Sequence, residues 1–478
     1  MMSAQILSNF VGGEFVSAST ERTLDLVNPV DESVVGVSPV SSKDDVYRAV
    51  DAAAQAFRDG WGTSTPSARQ SALLKLADAI EANSDEIVEA QCRNTGQPKH
   101  LIASEEVAVS ADQVRFFAGA ARLLEGKSAG EYMEGFTSYV RREPIGIAGQ
   151  VTPWNYPFMM AIWKIGPALA AGNTLVLKPS DTTPESTLAL ARLTKDIFPD
   201  GVVNVVLGDG GTGADLIAHP ALGIVSITGS VRAGIAVAES AASQVKRAHL
   251  ELGGKAPAIV LGDVDIEATA SGIAEAAYFN AGQDCTAATR VIVHESIHDE
   301  LVNALVAKAK TIKTGLPDDP DTFYGPLNNI RHFTGVMQKI TDLPAHAEIV
   351  TGGNRLGDKG FFLEPTVVTG VAQSDKIIQE ETFGPILTVQ PFTDLDDAIA
   401  MANDVPYALA SSVWTNRHTD AEMLSRALDF GAVWLNCHIP LVAEMPHGGF
   451  KYSGYGKDLS LYGVEDYTRI KHVMSAHG

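Results

Sequence analysis

The sequence predicts an α/β protein built on a parallel, doubly wound sheet. Three segments carry that prediction. In "NTLVLKPS" (173–180) a short apolar run ends in a polar turn, and Thr183, Pro184 and Glu185 follow as N-cap, first-turn proline and early acid. "VVNVVLGDGGTG" (202–213) again places glycines after an apolar strand, and "GIVSITGS" (223–230) leads into the helical "VRAGIAVAES". Strands that alternate with helices form a parallel sheet, and ligands of such sheets bind beyond the carboxyl ends of the strands.

The remaining elements follow in order. Residues 1–120 read as surface strands and helices, with Val46, Val50, Ala53 and Phe57 on one helical face and Leu73, Ala77 and Ile80 on another. "KSAGEYMEGFTSYVRREP" (127–144) alternates as a hairpin and interrupts this first region. A second α/β unit starts near "GGKAPAIVLGDVD" (253–265), and a helix over "DIEATASGIAEAAYFNAG" (265–282) leads into the segment of Cys285. "RVIVHESIHDELVNALVAKAK" (290–310) is a strand followed by an amphipathic helix. "VEDYTRIKHVMSA" (464–476) is strand-like, and with the 127–144 hairpin it is expected to form one small peripheral sheet.

At 478 residues the chain is long enough for two or three domains, and 45 % hydrophobic with 20 % charged residues is ordinary for a soluble enzyme. Lys plus Arg is 36 against 58 Asp plus Glu, a net charge of −22, which argues against nucleic acid or an anionic membrane as partner. It suits a cationic small molecule, although many bacterial cytosolic proteins are simply acidic. "MMSAQILSNFVGGEFV" has no basic stretch ahead of an apolar core, and no apolar run approaches ~20 residues. Cys92, Cys285 and Cys437 are odd in number and far apart, so neither a disulfide framework nor a metal site is expected, and a reducing cytoplasm is.

Several segments carry groups suited to chemistry. Gly229 and Ser230 stand where a strand feeds a helix N-terminus, a place suited to a pyrophosphate. "GDGGTG", with Gly210, offers glycines without the usual dinucleotide spacing and reads equally as a tight turn. Lys178 and Asp181 follow another strand end and suit ribose hydroxyls, or are solvated loop charges. In "LELGGKAP" Glu251 adjoins Gly253 and Gly254, which leave a carboxylate free to swing between base and bystander; the alternative is an edge-strand surface acid. In "TPWNYPFMMAIWK" Asn155 lies between Trp154 and Tyr156 as an oxyanion donor or as a turn before Pro157. Cys285 follows Asp284, an anion beside a thiol whose own reactive form is an anion. "EETFGP" holds Glu381 and Phe383, and "MPHGGFKYSGYGKD" holds His447 and Asp458 in a glycine-rich loop.

Taken together these segments resemble the NAD(P)-dependent aldehyde dehydrogenase superfamily over essentially the whole chain. "LELGGK" followed 34 residues later by the cysteine of "GQDC" is the most specific feature, and "PWNYP", "LKPS", "ITGS", "EETFGP" and "GGFKYSGYGKD" match in family order. The resemblance implies an aldehyde dehydrogenase-like α/β fold. A Rossmann-like NAD-binding domain would span 1–125 and 145–253, an α/β catalytic domain 254–452, and a small bridging β-sheet the segments 126–144 and 464–478. A homo-oligomer, dimer or tetramer, is implied.

It also implies roles. Cys285 resembles the nucleophile, Asn155 with the Cys285 N–H the oxyanion hole, and Glu251 the base that activates water. Lys164 and Asp458 match positions of a proton relay, with aspartate in place of the common glutamate. Val151, Trp154, Lys178, Gly210, Gly229, Ser230, Leu252, Glu381 and Phe383 match cofactor contacts. Asp181 stands where an acid favours a free ribose 2′-hydroxyl, hence NAD over NADP. It is shorter than the usual glutamate, which leaves room for NADP.

Within the superfamily, "GQDCTAATRV" and the segment from Glu444 to Met474 look most like bacterial 4-aminobutanal dehydrogenases of polyamine (putrescine) breakdown. Tyr156, Met160 and Trp163 would line the aldehyde tunnel, Trp434 and His447 its mouth, and Asp284, Asp112 or Glu106 would meet a substrate ammonium. Betaine aldehyde and other aminoaldehydes are close competitors. An inactive binding protein is opposed by the complete set Cys285, Glu251 and Asn155, and a coenzyme-A-acylating enzyme by Glu251. A thiol hydrolase is opposed by the lack of a histidine motif that pairs with Cys285.

Overall fold

Two large sheets and three small ones organise residues 5–477, the part of the chain that the computed structural model describes. In the first large sheet five parallel strands, Ile147–Val151, Thr174–Lys178, Val203–Val205, Leu222–Thr228 and Arg247–Glu251, lie in the spatial order 3-2-1-4-5. Antiparallel strands close its edges, Asn9–Val11 and then Glu14–Val16 beside Val203–Val205, and Gly454–Tyr455 beside Arg247–Glu251. Helices cover both faces, so the inner strands read as continuous apolar runs; every residue of Thr174–Lys178 is buried. The Pro157–Ala171 helix is buried along almost its whole length, and its Phe158, Ile162 and Trp163 join one core with Phe117 and Leu73.

Register decides what this sheet presents. Val151 pairs with Lys178 on one side and with Ile227 on the other, and Thr228 pairs with Glu251. The carboxyl ends of neighbouring strands therefore stand side by side. Strand order reverses between Ile147–Val151 and Leu222–Thr228, which opens the crevice where doubly wound sheets take their ligands.

The second sheet runs Glu348–Thr351, Thr366–Thr369, Ile386–Phe392, Ala288–His294, Ala256–Val260, Ala410–Trp414, Ala432–Leu435, parallel except for its first strand. The helix expected over 265–282 stops at Tyr278. Asn280, Ala281 and Gly282 take positive φ in succession (50°, 58° and 66°), which no right-handed helix accommodates. A Cβ on Gly282 would lie 2.3 Å from the Gly384 carbonyl oxygen, so glycine is required there. This left-handed turn delivers Gln283, Asp284 and Cys285 to the start of Ala288–His294.

The helix expected after Thr183 begins at Glu185. Its cap comes from a distant segment: Glu185 N–H donates to Asn94 Oδ1 at 3.1 Å, while Thr183 Oγ1 has no partner. Strands Phe136–Pro144 and Thr468–Ala476 pair antiparallel over nine residues, with Gly130–Met133 on the outer edge. Among the described residues no helix is long and apolar enough to cross a membrane.

Candidate active site

A cavity of about 1240 Å³ opens at the carboxyl ends of the first sheet and reaches the Cys285 segment of the second. Trp154, Asn155, Tyr156, Met160 and Trp163 line it from the Pro157–Ala171 helix and the loop before it. Gly229, Ser230, Glu251 and Leu252 line it from the strand ends, and Asp284, Cys285, Glu381, Phe383 and His447 from the opposite side.

Polar neighbours set the Asn155 amide. Its Nδ2 donates to the Gln283 carbonyl at 3.0 Å, which leaves a second N–H for a ligand. Its backbone carbonyl accepts from Gln97 Nε2 at 2.8 Å and Asn280 Nδ2 at 3.0 Å. The Asn155 side chain is thus tied to the residue two before Cys285. Gly253 and Gly254 also have a packing role. A Cβ on Gly253 would fall 2.4 Å from the Glu381 carboxylate, and one on Gly254 would fall 2.1 Å from the Cys285 carbonyl. The glycines allow close approach by the Glu381 and Cys285 segments.

Glu251 and His447 are each 2 % exposed, and His447 Nε2 lies 3.4 Å from Glu251 Oε1. Among the described residues neither carboxylate oxygen and neither ring nitrogen makes a hydrogen bond. Cys285 Sγ and one ligand atom each of Glu251 and His447 all lie within 4.8 Å of one another. Burial pushes the Cys285 thiol well above its ordinary value, and the negative charges of Glu251, Asp284 and Glu381 push the same way. Burial also raises the Glu381 carboxyl to about 7, against the pull of the Gly254 N–H at 2.9 Å and of Lys339 and Lys255.

Asp284 lines the cavity beside Cys285. Its Oδ2 accepts from Tyr156 OH at 2.8 Å, and its Oδ1 accepts from the N–H and hydroxyl of Thr286, each at 2.7 Å. The lysine and arginine on the cavity wall, Arg331 and Lys339, share the Ile330–Thr341 helix beside Phe383 and Glu381.

Two proposed ammonium partners lie elsewhere. Residues Ile102–Ala108 form a π-helical segment, which shifts the phase of the helix they enter. Glu105, Val109 and Gln113 reach the cavity wall as a result, while Asp112 faces solvent. Glu106 turns into the core behind Tyr156, 3 % exposed, where Gln91 Nε2 donates to it at 2.5 Å and burial pushes its carboxyl up to about 8. Trp434 is also off the wall. It donates to the Pro440 carbonyl at 3.0 Å and packs against His438, which does line the cavity. His438 uses both ring nitrogens, on Ser412 Oγ and the Thr286 carbonyl, and burial pushes it down to about 4, so it is neutral.

Lys164 and Asp458 form an ion pair with side chains fully excluded from solvent, at 2.9 and 2.7 Å. His249 Nε2 adds a contact to Asp458 at 3.2 Å. The Lys164 and His249 charges hold the Asp458 carboxyl well below the usual range despite its burial.

Val151, Lys178 and Asp181 stand at or just past adjacent strand ends, off the cavity wall itself. Lys178 is 5 % exposed and has no ion-pair partner among the described residues. Gly210 opens the Gly210–Ile217 helix, where the Gly211 and Thr212 N–H groups are capped by Asp209. Ser230 caps the Val231–Ala242 helix through a hydrogen bond from Ala233 N–H at 3.3 Å. Thr228 Oγ1, on the cavity wall, is buried without a partner. The strand-order reversal, the unpaired buried lysine and this orphaned hydroxyl fit a dinucleotide.

Similar chains occur among known proteins. An aldehyde dehydrogenase of Emericella nidulans is 40 % identical over 473 residues, 98 % of this chain and 95 % of the relative. The peroxisomal aminoaldehyde dehydrogenase 1 of Pisum sativum is 39 % identical over 97 % of this chain and 94 % of its own. A crystal structure of a betaine aldehyde dehydrogenase point mutant from Staphylococcus aureus in complex with NAD+ superposes with a TM-score of 0.96 at 34 % identity, covering 98 % of this chain and 97 % of that one. Residues 15–473 match the aldehyde dehydrogenase family, and the chain belongs to it.

Proposed function

We propose that this aldehyde dehydrogenase oxidises a small ω-aminoaldehyde, 4-aminobutanal first, to the carboxylate with NAD. Asp284 carries the substrate reading: a carboxylate anchored by Tyr156 and Thr286 on the cavity wall next to Cys285, with Arg331 and Lys339 both on another helix. An ammonium is held there by the carboxylate and by the ring faces of Tyr156 and Trp163. Betaine aldehyde is a second reading, supported by the named activity of the S. aureus neighbour.

NAD would be held by Val151, Trp154, Gly229, Ser230 and Leu252 at the strand-order reversal, with Lys178 and Asp181 at the ribose and Glu381 and Phe383 across the cavity. When bound, it supplies the hydride acceptor. The protein's part is to orient and to move protons. Cys285 adds to the carbonyl carbon, and the free Asn155 N–H with the Cys285 N–H receives the oxyanion. Once the substrate carbon is oxidised to a thioester on Cys285, Glu251 takes a proton from water as that water attacks. The thiol then leaves and the acid is released. We assign Lys164 and Asp458 to proton exit, the regions 1–125 and 145–253 to cofactor binding, and the small sheet to assembly of a cytoplasmic dimer or tetramer. Exposed Ile470, Met474 and Met133 on that sheet support the last assignment.

Comparing kcat/KM for 4-aminobutanal, betaine aldehyde and butanal, with NAD and NADP, tests the reading. The charged aldehydes are expected to win, and preference for butanal would overturn it. Asp284→Asn should lower kcat/KM for the aminoaldehyde by about tenfold more than for butanal, one charge contact in a partly buried site.

A further inference from the structure

We propose that His447 accepts the thiol proton of Cys285 while Glu251 holds the imidazolium, so that the centre works as a Cys285–His447–Glu251 triad. This rests on the reading of Cys285 as the nucleophile. The three groups come from separate segments and meet within 4.8 Å. His447 and Glu251 are buried, in contact at 3.4 Å, and otherwise without hydrogen-bond partners. Two unpartnered polar groups at 2 % exposure are costly to the fold unless they serve one another or a ligand.

The imidazole is also held in place. Its ring packs edge-on against Trp163, with centroids 5.1 Å apart. Its backbone exchanges two hydrogen bonds with Asp458, at 2.9 and 2.8 Å. The charged groups around it leave the role open to it. Asp284 and Glu381 are acids that oppose a thiolate. Lys457, which faces Glu251, spends its ammonium on the Gly448 carbonyl. Lys164, Asp458 and His249 form their own closed cluster. A thiol crowded by carboxylates ionises when a proton acceptor stands beside it, and His447 supplies that acceptor.

The protons balance. The thiol proton passes to His447, and Glu251 offsets the new positive charge. The thiolate adds to the carbonyl, and after hydrolysis the departing thiolate recovers the proton from His447. The proton that Glu251 took from water goes to solvent.

The test measures alkylation of Cys285 by iodoacetamide across pH in the full-length wild type, His447→Phe and His447→Gln, without cofactor or aldehyde, with the modified site mapped by peptide mass. At about pH 7 both variants should react at least about tenfold more slowly than wild type, because each unit of rise in the thiol's ionisation removes tenfold of the thiolate. Phe keeps the packing on Trp163, and Gln keeps a polar contact to Glu251 but takes no proton. A wild-type pH profile in either folded variant overturns the triad. The thiolate absorbance of wild type against a Cys285→Ala blank needs no His447 variant. It should show a step below the ordinary thiol range, and its absence also overturns the triad. Aldehyde oxidation that survives full alkylation of Cys285 would instead overturn the reading of Cys285 as nucleophile.

Discussion

Asp458 and Glu251 are buried acids in segments that pair across the edge of one sheet, yet their surroundings are opposite. Asp458 receives Lys164 on both oxygens and His249 on one. Glu251 receives no hydrogen bond among the described residues and lies 3.4 Å from an equally unpartnered histidine. A buried carboxylate with full compensation is part of the scaffold first, whereas one left uncompensated is costly to the fold and marks where chemistry is done. Three substitutions separate the two kinds.

Glu251→Gln should give the largest effect. It removes the base, so steady-state kcat should fall about 10²–10⁴-fold, while thermal stability holds or rises because a buried charge is gone. A lowered Tm with kcat preserved would erase the distinction. Asp458→Asn should act the other way. It leaves the Lys164 charge buried and unpaired, a loss of about 3–5 kcal/mol in urea unfolding. The sign with pH follows from the depressed carboxyl. Its contribution is complete above the ordinary aspartate range and disappears as pH falls through the lower folded value, so wild type should lose stability in acid and the variant should show a shallower acid limb.

Glu106→Gln sharpens the comparison with a third buried acid. Its carboxyl is raised from 4.5 to about 8, so the folded state favours the protonated form. Its contribution is therefore complete below 4.5 and is lost as pH rises towards about 8. Gln keeps the shape without the charge. The variant should gain stability over wild type by an amount that grows with pH through that window, on the order of a few kcal/mol at its upper end, read from Tm against pH.

Much of this was legible in the sequence because it is local. A strand, its turn and the following helix lie within a dozen residues, so the parallel sheet could be read from three short segments, and the Glu251-to-Cys285 spacing reads along the chain. What could not be read depends on distant partners. Gln97 and Asn280 fix Asn155 from 58 and 125 positions away, and no periodicity announces them. Asn94 caps the helix at Glu185, a task that local rules gave to Thr183. The misplacement of Asp112 and Glu106 has its own cause. Glu106 lies inside a π-helical turn and Asp112 follows it, and that turn shifts the helical phase, so spacing alone does not give the direction of either side chain. His447 was readable as a loop residue at the tunnel mouth, whereas it is buried beside Glu251, a partner from a strand far earlier in the chain.

The pairing of Phe136–Pro144 with Thr468–Ala476 has a consequence for how the molecule is made. While the chain is being synthesised, the earlier strand has only Gly130–Met133 beside it and an open edge on its other side. Open edges recruit strands from other molecules. That edge is covered only when residues 468–476 emerge, so a nascent product, or one cut short before them, carries an adhesive edge until that strand arrives.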